Sequence, residues 1–173
     1  MRALEDLWRQ EPDLATWTTR AGFKGHIQRA DVTGALCGYV ELPPGHPWHG
    51  DRHGAAHGGI TWDSPGGPGS PAPASSAESW LIGFDCGHAW DYQPMMEKIM
   101  RALGRQWPMR WARYRPIGYV KANVEALAGQ AKGALRKGDP RRRAWCKRQP
   151  EDWTATKLPA IDWDAPVIAP PRH

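Results

Sequence analysis

Five of the seven histidines, His46, His49, His53, His57 and His88, fall within a single stretch of the chain, and Cys86 with two aspartates lies beside the last of them. The segments that carry them read GHPWHG, AAHGG and GFDCGHAWD. Neutral imidazole and thiolate are favoured ligands of zinc, and a catalytic zinc takes three protein groups and leaves a fourth position to water. The expected ligands are His46, His57, Cys86 and His88, with zinc as the cofactor. Asp85 and Asp91 are expected as a further ligand, as the acceptor that orients a ligating imidazole, or as general base toward a bound water. No specific zinc signature applies: Cys86-Gly87-His88 is not a CxxC knuckle, and neither HExxH nor HxE with PCxxC is present.

The same residues admit a metal-free chemistry. Cys86 would then be a nucleophile activated by His88 or His57, with Asp85 or Asp91 orienting the base and the Gly58 and Gly59 amides forming an oxyanion hole. Plainer readings stand beside these. In PPGHP, His46 can bond the backbone next to Pro47. Cys86 can be a small buried residue at the end of an apolar strand. Gly58 and Gly59 can serve a tight bulge, and Asp91 can cap the helix that follows. His49 and His53 flank GDRHGAA, whose composition is that of an exposed connection.

The elements that must position these groups follow from periodicity. Three runs read as strands, 35–42 (ALCGYVEL), 57–62 (HGGITW) and 79–85 (SWLIGFD), each bounded by Gly or Pro. Met95, Met96, Ile99, Met100 and Leu103 recur at helical spacing. Ile117, Val120, Val124, Leu127, Ala131 and Leu135 do so over five turns, and that apolar stripe needs a surface to cover. Residues 1–29 read as a short helix, through Leu4, Leu7 and Trp8, and a lead-in. The stretch 63–76 (DSPGGPGSPAPASS) is expected to be a mobile loop without chemistry. The fold class expected is α+β: a small antiparallel sheet of about three or more strands covered by one or two helices. Residues 1–137 form the single domain, and 138–173 a basic, Pro-rich extension that wraps the surface or is disordered.

At 173 residues the chain is long enough for one core. Eleven Trp against two Phe make that core one of large anchors with polar tips. No apolar run is long enough to span a bilayer, and residues 1–10 mix Arg and Glu where an export signal would be apolar. Three cysteines, Cys37, Cys86 and Cys146, lack the density of a disulfide framework, so a reducing cytoplasm is expected. The net charge of +5 is local. Residues 132–148 hold eight Lys or Arg against one Asp, leaving the remainder at −2. Within that tail, Arg141, Arg142 and Arg143 followed by Trp145 pair phosphate neutralisation with a stacking ring, as single-strand binders do. A solvated end is the plainer reading.

The ordered set CGYVELPPGHPWHG, HGGITW, WLIGFDCGHAWDYQP and YRPIGYVKANVEALAGQ resembles a family of small bacteriophage and prophage proteins, over roughly residues 20–131. The recurring positions correspond to Cys37, Gly38, Tyr39, Val40, His46, Pro47, His57, Gly58, Gly59, Thr61, Gly83, Phe84, Asp85, Cys86, His88 and Asp91. The chain departs from the pattern at HGDRHGAA, where relatives carry a more acidic stretch, and in the tail from Gly138. The resemblance implies a phage setting and a shared site, and brings no reaction with it. Two functions are therefore expected. One is a zinc-dependent hydrolase of nucleotide-like or phosphorylated substrates. The alternative is a non-catalytic interaction protein, a host-defence inhibitor or nucleic-acid binder, that uses Trp side chains and the basic tail.

Overall fold

Residues 7–50, 52–67, 69–106 and 111–135 are described by the computed structural model. A helical turn at 7–10 leads into five strands, β1 (Leu14–Thr18), β2 (Lys24–Arg29), β3 (Leu36–Leu42), β4 (Trp62–Pro65) and β5 (Trp80–Asp85). They form one antiparallel sheet in the order β1-β2-β3-β5-β4. Two helices follow, α1 (Pro94–Ala102) and α2 (Ile117–Ala134). The α+β class expected from the sequence is the class observed.

The core is the seam between α2 and the sheet. Val120, Val124, Leu127, Ala128 and Ala131 recur at three- and four-residue spacing, so they line one stripe of the helix, and all are buried. That stripe lies on β3 and β2, against Ile27, Leu36, Val40, Leu42, Ile82 and Phe84, with Ala15 and Trp17 extending the cluster. Gly38 permits the close approach: a Cβ there would sit 2.7 Å from both Phe84 and Val124. Glu125, on the same helix, accepts the Trp17 indole N–H at 2.7 Å and the Arg20 amide at 3.0 Å, which ties α2 to the sheet's first hairpin.

Three expectations are corrected. Residues 14–29 form the β1–β2 hairpin, where a lead-in was expected; only Ala15 and Trp17 of β1 face the core, too few to register as a strand by alternation. The second expected strand begins at Trp62, because Gly58 and Gly59 hold φ of +68° and +98° and turn the chain before it. The Pro/Gly-rich stretch contributes β4 and then folds back over the second face of the sheet. There Ala72 is buried with Cys37, Tyr39 and Leu81, and Ser75 donates its amide to Glu41 at 2.8 Å.

Glu41 and His26 are both fully buried on that face, 3.2 Å apart, and Thr16 bonds the other nitrogen of His26. Burial alone would raise the Glu41 pKa; the bonds from His26 and Ser75 outweigh it and hold the carboxyl below its ordinary value. Burial pushes the Cys37 thiol up to about 11. The expected boundary after residue 137, Cys146 and the tail with Arg141, Arg142, Arg143 and Trp145 lie outside the described residues.

Candidate metal centre

Three segments converge beyond the end of β5: the turn at His57, the loop 86–92, and the stretch 111–119 that enters α2. Short local bonds shape the loop. Asp85 accepts the Gly87 amide at 2.8 Å, the Asp91 amide bonds the His88 carbonyl at 2.9 Å, and the Gln93 side chain donates to the Gly87 carbonyl at 2.7 Å. A parallel bridge fixes the third segment to the second, since the Tyr92 amide bonds the Arg113 carbonyl and the Arg113 amide bonds that of Trp90. The start of α2 lacks a capping side chain of its own. Glu11 supplies one from far along the chain, accepting the Ile117 amide at 2.8 Å, where a carboxylate also meets the positive end of the helix dipole.

At the centre is Asp91, with no solvent exposure. Its Oδ1 accepts Arg115 Nε at 2.8 Å. Its Oδ2 lies 2.7 Å from His57 Nε2, 3.2 Å from the His88 amide and 3.3 Å from His88 Nδ1. The last contact lacks hydrogen-bond geometry, and His88 Nδ1 is buried without a hydrogen-bond partner among the described residues. The other nitrogen of His57 meets the Tyr119 hydroxyl at 2.9 Å. Ring contacts complete the frame. His88 stacks on Trp90 at 5.0 Å and 6°, and the Arg115 guanidinium sits 5.0 Å from the centre of the Tyr119 ring. Gly58 is pressed against His88, for a Cβ there would lie 2.0 Å from its Cε1.

One potential donor atom from each of His57, His88 and Asp91 lies within 4.8 Å of the other two, so the cluster could hold a metal ion. Zinc bonds of 2.0–2.1 Å at tetrahedral angles place ligand atoms about 3.4 Å apart; the His88 Nδ1 to Asp91 spacing of 3.3 Å matches this, and the 2.7 Å between His57 Nε2 and Asp91 would open on binding. Desolvation would raise the pKa of Asp91. The bonds from His57 and Arg115 overcome it and keep the carboxyl below its usual value, so it is a charged donor at neutral pH. The same bond to Asp91 raises the Arg115 pKa.

Of the expected ligands, His57 and His88 meet; His46 and Cys86 are elsewhere. His46 is buried at the far end of α2, with Nε2 3.2 Å from the Ala131 carbonyl and Nδ1 accepting the Trp48 amide at 3.1 Å. Both its nitrogens serve the backbone. The Cys86 side chain belongs to the core cluster under α2 and is not among the three groups that meet, and desolvation first and the nearby Asp91 second push its thiol pKa far up, against the thiolate that a metal-free nucleophile requires. Asp85 is 3.8 Å from His88 Nδ1 and remains 37% exposed. Among the expected amides, that of Gly59 is used in a turn to the Ala56 carbonyl. His49 tilts against Trp80 and His53 against Trp48, both outside the cluster. Arg115 and Tyr119 were missed as site residues. The available signal was that Tyr119 falls off the stripe of Ile117, Val120 and Val124 and must face another way.

No family model, curated protein or solved structure matches the chain.

Proposed function

We propose that this protein is a metal-dependent hydrolase of phosphate esters, with a divalent cation, zinc by its two imidazole donors, held by His57, His88 and Asp91. The observation that carries the reading is the Nδ1 of His88, buried without a hydrogen-bond partner among the described residues and 3.3 Å from a charged carboxylate oxygen, in a cluster to which His57 adds a donor atom. Leaving such an atom unsatisfied costs about 1–3 kcal/mol, and a cation bound between the three groups removes that cost. When bound, the ion supplies a water acidified to near neutral pKa and a Lewis acid for a phosphoryl oxygen.

The protein's own groups take the remaining roles. Tyr119 fixes the orientation of the His57 ring through its second nitrogen. Arg115 commits Nε to Asp91 and keeps its terminal nitrogens to receive phosphate oxygens. Asp85, partly exposed beside His88, is the remaining carboxylate placed to take a proton from water. The setting proposed is that of the phage proteins the sequence resembles, in the cytoplasm of the bacterial host.

Elemental analysis of tag-free protein, with and without chelation, tests the reading together with hydrolysis of p-nitrophenyl phosphate. About one metal per chain is expected, with loss of hydrolysis and a lower melting temperature after stripping. His57→Ala and His88→Ala should each abolish metal uptake. Protein that takes up no stoichiometric zinc, manganese or ferrous ion and ignores chelator would overturn it.

A further inference from the structure

Trp90 lies between the two groups that matter most, two residues after His88 and one before Asp91, yet the residue is 46% exposed. A large apolar side chain left this open beside a polar cluster asks for an occupant. One face is covered by the parallel His88 ring at 5.0 Å, so the exposed surface includes the opposite face, held flat by that stack. Arg115 and Tyr119 border the same cluster through Asp91 and His57, Tyr119 being 36% exposed. A planar ring stacked about 3.5 Å beyond Trp90 would lie roughly 8–9 Å from the centre of His88. A sugar and one or two phosphates bridge that interval back to the cation-binding groups.

We infer that Trp90 is a base-stacking platform, and that the phosphate esters taken by this site are nucleoside phosphates, with the base on Trp90 and the phosphate at Arg115 and the His57, His88 and Asp91 cluster. This rests on the phosphate-ester reading above. A mononucleotide fits better than a strand of nucleic acid, because among the described residues Arg115 is the one arginine whose side chain bonds the cluster, which suits a single phosphate group rather than a polyanion. Tryptophan stacking is tolerant of base identity, since every base has a π-face, so the platform selects for a base without choosing among them.

The test is calorimetric titration of the full-length, zinc-loaded protein with AMP, ribose 5-phosphate and adenosine, repeated on Trp90→Ala and Trp90→Phe. AMP should bind roughly tenfold more tightly than ribose 5-phosphate, the worth of one stacked base. Trp90→Ala should erase that preference, read as the ratio of the AMP and ribose 5-phosphate affinities within the same zinc-loaded variant, and Trp90→Phe, which keeps a ring against His88, should restore most of it. Equal affinity for AMP and ribose 5-phosphate in the native protein overturns the inference. So does a preference that survives in Trp90→Ala, or failure of AMP to bind at millimolar concentration. An oligonucleotide that binds far more tightly than AMP reassigns the platform to single strands and overturns it too. The underlying reading fails separately: ribose 5-phosphate binding that is indifferent to removal of zinc removes the metal from phosphate recognition, while the AMP-against-adenosine and Trp90 comparisons still report on the platform.

Discussion

Gly58 and Gly59 allow the candidate centre to be separated from the stability of the turn that carries it. In Gly58→Ala the new Cβ would lie 2.0 Å from His88 Cε1, whereas carbon atoms settle near 3.5–4.0 Å, so the imidazole must withdraw by about 1.5 Å. Metal–ligand bonds tolerate about 0.2 Å, and the displaced ring is lost as a ligand. The left-handed φ of +68° adds a backbone cost of about 1–2 kcal/mol, a fall in melting temperature of roughly 2–8 °C for a domain of this size. Gly59→Ala is the control. Its φ of +98° is at least as adverse, but nothing lies within 4 Å of its Cβ. Both variants should melt earlier, and only Gly58→Ala should lose zinc affinity, by more than about 100-fold, beyond what loss of an outer-shell partner costs. Chelator-competition titration gives the affinities and differential scanning fluorimetry the melting temperatures. If Gly58→Ala binds zinc as tightly as Gly59→Ala, His88 is not a ligand and the argument from its buried nitrogen collapses.

Tyr119→Phe removes the hydroxyl that orients His57 and should weaken zinc binding about 10- to 100-fold with little change in melting temperature, read by the same competition assay. Cys86→Ser should destabilise the core without altering metal stoichiometry; loss of metal in elemental analysis would return the thiol to the ligand set. Leu127→Ala, which empties a fully buried position under α2, should cost about 2–5 kcal/mol in denaturant unfolding. Glu41 gives a pH dependence. Its folded pKa is below the ordinary value, so its contribution is complete above the unfolded value of roughly 4.3 and is lost as pH falls through the folded one. Glu41→Gln should therefore be less stable at neutral pH, by up to about 3 kcal/mol, and should lose less further stability between neutral pH and pH 3 than the native chain, as urea melts across that range would show.

What could be read in advance follows the strength of local patterns. The stripe from Ile117 to Ala131 and the apolar runs of β3 and β5 announce themselves because burial there is dense and periodic. The β1–β2 hairpin does not, because its inward residues are few and one of its positions, Gly25, has no side chain at all: a Cβ would lie 2.8 Å from the Trp17 ring. The Pro/Gly-rich stretch was misjudged for a related reason. Composition shows that a segment cannot form a regular amphipathic element, but not that a neighbour such as Glu41 will anchor it through a backbone amide. In the centre, imidazole and carboxylate residues in loops were legible by type. Whether a histidine ligates or bonds backbone is decided by what lies opposite, and for His46 that is the Ala131 carbonyl, 85 residues away in sequence.

The centre is assembled from weak local pieces that distant contacts hold in register. Among the described residues the His57 turn has no strand pairing at its own position, and the segment from Trp111 to Arg115 makes a single bridge, Arg113 to Asp91. Their relative placement depends on Asp91, which bonds both, and on Glu11, which caps α2 and also accepts the Tyr114 hydroxyl at 2.6 Å. Arg29 closes this arrangement from β2, donating to the same hydroxyl at 3.0 Å. A carboxylate near the start of the described chain thus helps to set where Tyr119, and through it His57, can stand. Positions this far from the candidate ligands should therefore influence metal affinity through geometry rather than charge, because a ligand misplaced by a few tenths of an ångström already falls outside the tolerance of a metal bond.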